Sequence, residues 1–246
     1  MSSATFLTLV YHIVDRTIDT RIAVTEEAFE AQLAHLREEG YRMLSLDDVH
    51  RIVTAGDEPP PRAVFVTFDD GYADNLYTAL PRLRTHGIEA TLFVPTAHVG
   101  QSNRWNPMAC YDTRHLDWGE LERWLDGGGR MGGHTHEHLC VGRLGAPELK
   151  MAIELNHKLL VERLGVNVPV FSYPFGAVTD AARAEVARLY EAAFVVRGGT
   201  WNVREDPFRL NRLAVERTWG IAEFARRVEK LFDSLESHQA EPASGR

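Results

Sequence analysis

The chain has 246 residues, with 27 Lys and Arg against 35 Asp and Glu, for a formal net charge of −8. A 44% hydrophobic and 25% charged composition excludes a disordered acidic chain, a collagen-like repeat and a disulfide-stapled miniprotein. The acidic balance, with no Lys/Arg block, also excludes a phosphate-backbone partner, so no nucleic-acid role is expected.

Short apolar, β-branched runs alternate with longer amphipathic ones. Strands are expected at 5–11, 42–44, 63–68, 90–94, 130–134, 169–173, 193–196 and 212–215. The first helix should run from Thr25 as N-cap to Glu39, with Glu26 and Glu27 in its first turn and Gly40 as its stop. A second starts at Ser45, where Ser-Leu-Asp-Asp places an acid three residues after the cap. Further helices are expected at 73–86, 118–126, 146–164, 179–190 and 220–234. Leu76, Leu80 and Leu83 share one face of the 73–86 segment. Repeated strand–helix alternation predicts one α/β domain, over residues 1–235, built on a parallel sheet or barrel. Residues 236–246 form a polar tail expected to be disordered. The 95–117 connection is long for a compact domain, and such loops tend to be functional.

Cys110 and Cys140 form no CxxC pair and are expected to be reduced thiols. No run of about 18 apolar residues exists, so no membrane span is expected. Met1–Val14 lacks the charged, apolar and small-residue zones of a leader, which makes the cytoplasm the default location.

Four segments carry chemistry. Thr67-Phe68-Asp69-Asp70-Gly71-Tyr72 sets two carboxylates at the end of an apolar strand, where parallel α/β folds collect catalytic groups. The plainer reading is a solvated Asp-Gly turn with Asp70 capping the next helix. Gly133-His134-Thr135-His136-Glu137-His138 spaces His134 and His138 so that both imidazoles can reach one divalent ion, the plainer reading being a polar loop. Thr135 is expected to fix this loop through its hydroxyl, and His136 to point elsewhere. Phe171-Ser172-Tyr173-Pro174-Phe175-Gly176 is another strand ending in a turn, beside a possible pocket wall. Tyr11-His12 ends the first strand; a lone His there is more often structural than catalytic.

Together and in this order the segments resemble the polysaccharide deacetylases, carbohydrate esterase family 4. Thr-Phe-Asp-Asp-Gly matches the family's first motif and His-Thr-x-x-His its second. Tyr-Pro-Phe-Gly resembles the third, and Leu116-Asp117-Trp118 is similar to the lead into the second. The resemblance runs from about residue 5 to 215. It implies a single-domain distorted (β/α)7-type barrel. It implies one divalent ion, zinc first among zinc, cobalt, nickel and manganese, held by Asp70, His134 and His138, with Asp69 as base. Ser172 stands where the family's third motif carries an Arg that orients the base. Arg212-Leu213-Ala214-Val215 lacks the His of the family's later Leu-x-x-His segment. The poly-N-acetylglucosamine deacetylase subgroup instead takes its acid from an N-terminal Tyr-His, which Tyr11-His12 resembles, making His12 the expected acid. The implied activity is removal of N-acetyl or similar acyl groups from an amino-sugar glycan or oligosaccharide. Tyr173, Pro174, Trp105 and Trp201 are the expected substrate contacts. Two other readings stand beside it: a same-fold amidohydrolase acting on a small non-glycan C–N bond, and a non-catalytic sugar-binding domain.

Overall fold

The computed structural model describes residues 6–105, 111–196 and 205–240, with side chains to residue 104 in the first span and 233 in the last. In chain order the early elements are β1 (Leu7–Tyr11), β2 (Ile13–Val14), β3 (Ala23–Val24), α1 (Glu26–Glu38), β4 (Arg42–Met43) and α2 (Leu46–Thr54). Then come β5 (Ala63–Asp69), a π-turn (Asn75–Ala79), α3 (Leu80–Thr85), β6 (Ala90–Val94), α4 (Trp118–Asp126) and β7 (Arg130–Gly133). The last are α5 (Ala146–Leu164), β8 (Val170–Ser172), α6 (Asp180–Val186), β9 (Ala192–Val196), β10 (Leu210–Ala214) and α7 (Ile221–Ala240).

Seven parallel strands close on themselves in the order β1-β10-β9-β8-β7-β6-β5, and β5 pairs back to β1 from Leu7↔Val64 to Tyr11↔Phe68. This is the (β/α)7 barrel expected from the motifs. β4 adds two residues to the start of β5. Every residue of β1 and β5 is buried, because parallel strands here are covered on both faces.

Alternation along each strand separates two cores. Val64, Val66 and Phe68 of β5 face outward into the layer packed by Phe29, Leu33, Trp124 and Ile153 of the helices. Ala63 and Phe65 face the interior, where they meet Phe93, Val170, Phe194 and Leu210, with Leu46, Val49 and Ile52 of α2 plugging the end where the strands begin. The same parity sends Thr67 and Asp69, Ser172, and Arg212 into the barrel above that apolar layer. His12 keeps the interior parity of Phe6 and Thr8, one residue past β1. The fold thereby gathers four distant strand ends at one mouth.

The expected caps are present. Thr25 Oγ1 accepts from the Ala28 N–H at 3.2 Å, and Ser45 and Asp48 form a reciprocal capping box. The expected helix over 73–86 divides at Pro81, whose missing N–H cannot continue an α-helical ladder, and a wider π-turn precedes it. Leu76, Leu80 and Leu83 are buried on the expected face. α6 stops at Val186, short of residue 190, and α7 extends through Ala240, past the expected end at 234, so the polar tail begins in its last turn. Residues 241–246 lie outside the described residues. Among the described residues no helix is long and apolar enough to cross a membrane.

Candidate active site

Asp70 sits in the turn after β5, His134 directly after β7, and His138 one turn later. Asp70 Oδ1 lies 3.2 Å from His138 Nε2 and 3.5 Å from His134 Nε2. One ligand atom from each falls within 4.8 Å of the others. Bonds of about 2.0–2.2 Å to a shared ion put neighbouring ligand atoms roughly 3–3.5 Å apart, so the spacing fits. Asp70 Oδ1 is buried without a hydrogen-bond partner among the described residues. His134 donates from Nδ1 to the Ser172 carbonyl at 2.7 Å, which leaves the Nε2 lone pair for a metal. A carboxylate oxygen and two imidazole nitrogens are a donor set suited to a first-row divalent ion. The solvated-turn and polar-loop readings do not survive: Asp70, His134 and Thr135 are all buried.

The backbone here is held in unfavourable conformations. Among the described residues five non-glycine positions have positive φ, and four lie at this site: Asp70 (74°), Thr135 (58°), His138 (54°) and Phe175 (61°). Two braces hold them. The 95–117 connection returns over the Asp70 turn: His115 donates from Nδ1 to the Asp70 carbonyl at 2.8 Å, and the Leu116 N–H to the Gly71 carbonyl at 2.8 Å. On the other side fully buried Asn156, from α5, accepts from the His134 N–H at 2.9 Å and donates to the Thr135 carbonyl at 2.7 Å. A Cβ at Gly133 would lie 2.9 Å from Asn156 Oδ1, so this approach needs glycine. The Thr135 expectation is corrected accordingly: its hydroxyl has no hydrogen-bond partner among the described residues, and its carbonyl anchors the loop. His136 turns away, its Nδ1 hydrogen-bonded to Thr96 Oγ1 at 2.9 Å.

Asp69 is gripped by a residue that the sequence singles out only as the start of a segment lacking a His. Arg212, on β10, donates from Nη1 to Oδ1 and from Nη2 to Oδ2, both at 2.7 Å. Its Nη2 also donates to Ser172 Oγ at 2.7 Å, and its Nη1 to Thr67 Oγ1 at 3.2 Å. At the position where the family's third motif carries an Arg stands Ser172, and a guanidinium reaches Asp69 instead from across the barrel, with Ser172 as its hydrogen-bond partner. Burial alone would raise the Asp69 carboxyl; the Arg212 guanidinium, with His134, outweighs it and holds the group below its ordinary value. For His12 burial prevails over the attraction of Asp70 and Asp69, and its pKa is lowered.

A cavity of about 250 Å³ opens above these groups and is lined by Asp69, Asp70, His134 and His138 together with His12, Tyr72, Tyr173 and Phe175. Tyr173 is buried to its hydroxyl, which has no hydrogen-bond partner among the described residues. Pro174 is buried and opens the turn that presents Phe175, whose ring is 70% exposed and packs edge-on to His138 at 4.8 Å between centroids. Arg21 and Glu216 pair at 3.1 Å on the rim. The Trp105 backbone lies in a short helical turn, but its side chain, and all of Trp201, lie outside the described residues.

Known proteins resemble this chain in sequence and in fold. The polysaccharide deacetylase family matches residues 56–193. The chain is 24% identical over 224 residues to the putative polysaccharide deacetylase YxkH of Bacillus subtilis, covering 91% of this chain and 76% of that one. It is 25% identical over 166 residues to the poly-beta-1,6-N-acetyl-D-glucosamine N-deacetylase of Staphylococcus aureus, covering 64% of this chain and only 55% of that relative. In fold it resembles IcaB from Ammonifex degensii, with a TM-score of 0.80, 22% identity, and coverage of 93% of this chain and 98% of that one. It also resembles the Streptococcus pyogenes deacetylase PplD, with a TM-score of 0.78, 22% identity, and coverage of 91% and 98%. The chain belongs to the polysaccharide deacetylase family and is an enzyme of the deacetylase class.

Proposed function

We propose that this chain is a metal-dependent hydrolase that removes N-acetyl or similar acyl groups from an amino-sugar glycan or oligosaccharide. The observation that carries the reading is the Asp70/His134/His138 cluster standing beside the Arg212-clamped Asp69 in one cavity. Asp70, His134 and His138 would hold a divalent ion, zinc first, with cobalt, nickel or manganese compatible with the same donors. When bound, such an ion lowers the pKa of water toward ~7 and polarises an amide carbonyl.

The chain's own residues supply the proton traffic. Asp69, kept ionised by Arg212, takes a proton from the attacking water. The bidentate clamp also fixes both carboxylate oxygens, so the base needs no reorganisation as the reaction proceeds. His12 passes a proton to the departing nitrogen; burial favours its neutral form, and the Asp69 and Asp70 carboxylates counter that. Tyr173 offers a buried hydroxyl to the substrate, and Phe175 an exposed ring face suited to a sugar. Acetate and a free amine leave.

The cavity is compact beside the roughly 300–1,000 Å³ common for ligand pockets, which favours as a second reading an amidohydrolase acting on a small C–N substrate. A panel of N-acetylglucosamine oligosaccharides and small amides, scored for acetate release by metal-loaded protein, separates the two. Asp69→Asn should keep metal and lose turnover, and Asp70→Asn should lose both. Sugar binding with no acetate from any substrate would replace both enzyme readings with a binding domain.

A further inference from the structure

His12 is the single residue between β1 and β2. Its carbonyl is held from the start of the π-turn, five residues beyond Asp70. Asn75 Nδ2 donates to the His12 carbonyl at 2.8 Å. The Val14 N–H donates to Asp74 Oδ2 at 2.7 Å, and Asn75 Nδ2 reaches the same Asp74 oxygen at 3.0 Å. Asn75 is fully buried. The segment that bears His12 and the segment that bears Asp70 are thus joined by two bonds, and the Asn75–Asp74 contact ties the two side chains of that bracket together.

β2 has other anchors. Ile13 and Val14 pair with Ala23 and Val24 of β3, and both side chains are fully buried. Tyr11, on the other side, donates its hydroxyl to Gln32 Oε1 at 3.0 Å. The N–H end of the His12–Ile13 peptide is held by a 3.4 Å bond from Ile13 to the Ile22 carbonyl. The shorter Asn75 bond holds its carbonyl end, beside the Cα that bears the imidazole. Only a side chain with both a donor and a short stem can bridge two acceptors here, the His12 carbonyl and the Asp74 carboxylate. A π-turn at this point is also a common companion of functional sites.

We propose that Asn75, steadied by Asp74, is a positioning residue for His12, aiming its imidazole at the departing nitrogen. The proposal rests on His12 acting as the proton donor in the reaction proposed above. Misplacing a catalytic group by about 1 Å can cost up to roughly 10²-fold in rate, within the 10²–10⁴-fold such a donor contributes.

The test compares two substrates on the full, metal-loaded chain. An N-acetylglucosamine oligosaccharide has a poor leaving amine that needs the proton; 4-nitrophenyl acetate has a leaving group that does not. Asn75→Leu should lower kcat on the oligosaccharide about tenfold or more while changing the aryl ester rate less than about twofold, with metal content unaltered. Should that variant fail to fold, Asn75→Ser breaks the reach without adding apolar bulk, and the same pattern is expected. In a His12→Ala background Asn75→Leu should cost nothing further. Parallel loss on both substrates, no loss on either, or additive loss in the double variant each overturns the proposal. His12→Ala is the control: if it fails to slow the oligosaccharide selectively, the acid assignment falls, and that result is distinguishable from a failure of Asn75 alone.

Discussion

Replacing Arg212 with methionine, an unbranched apolar side chain of similar length, strands the Asp69 carboxylate inside the barrel. The wild-type guanidinium is fully buried and makes two 2.7 Å bonds to that carboxylate. Removing one partner of a buried, hydrogen-bonded pair costs about 3–5 kcal/mol, a large share of the ~5–15 kcal/mol that holds a typical domain together. The pH dependence gives the mechanism away. In the wild type the Asp69 pKa is depressed, so its stabilisation is present above the unfolded carboxylate value, near 4, and is lost as pH falls through the folded value. In Arg212→Met burial is largely unopposed and the folded pKa rises. Stability is then kept at low pH and lost as pH climbs from about 4 through the raised value. Urea denaturation of the metal-free chain at pH 5 and pH 8 should show the larger deficit at pH 8. Asp69→Asn added to Arg212→Met should recover part of the loss, because no charge is stranded. Equal deficits at the two pH values, or a double variant no more stable than Arg212→Met, would refute the reasoning.

Asn156→Ala removes the brace behind the histidine loop, leaving the His134 N–H and Thr135 carbonyl unsatisfied. We expect a loss of about 3 kcal/mol in denaturation and a roughly 10–100-fold weaker metal affinity by titration, and unchanged affinity would count against it. Phe175→Gly relieves a left-handed residue and should hold or raise Tm by a few degrees, while oligosaccharide KM rises several-fold. A clear fall in Tm would show that the ring stabilises the turn instead. Burial pushes the Asp74 carboxyl up to about 7. The folded state then retains a proton that the unfolded chain releases, so this group costs stability as pH rises from about 4 to 7. Three units correspond to ~4 kcal/mol at most. Asp74→Asn, which still accepts from the Val14 N–H, should stabilise the chain by up to that amount at pH 8 and little at pH 4; a pH-independent difference contradicts it.

Short-range physics made much of this enzyme legible in advance. Apolar runs of strand length, caps such as Thr25 and Ser45, and Gly or Pro turns after each run place Asp69–Asp70, His134–His138 and Tyr173–Gly176 at successive strand ends, because those signals act within a few residues. Parity along β5 even directs Asp69 inward. The pairing of Arg212 with Asp69 was not legible, for a different reason. The arginine lies 143 residues from Asp69, and its strand pairs with β1 and β9, not with β5. Only closure of the ring brings the two side chains across the interior, and closure depends on which strands become neighbours, a long-range property. Asn156 escaped notice for the same reason, reaching the histidine loop from a helix 22 residues on. Residue types and their order announce the candidate ligands and the proposed base, whereas the groups that clamp and brace those side chains are chosen by how the barrel packs.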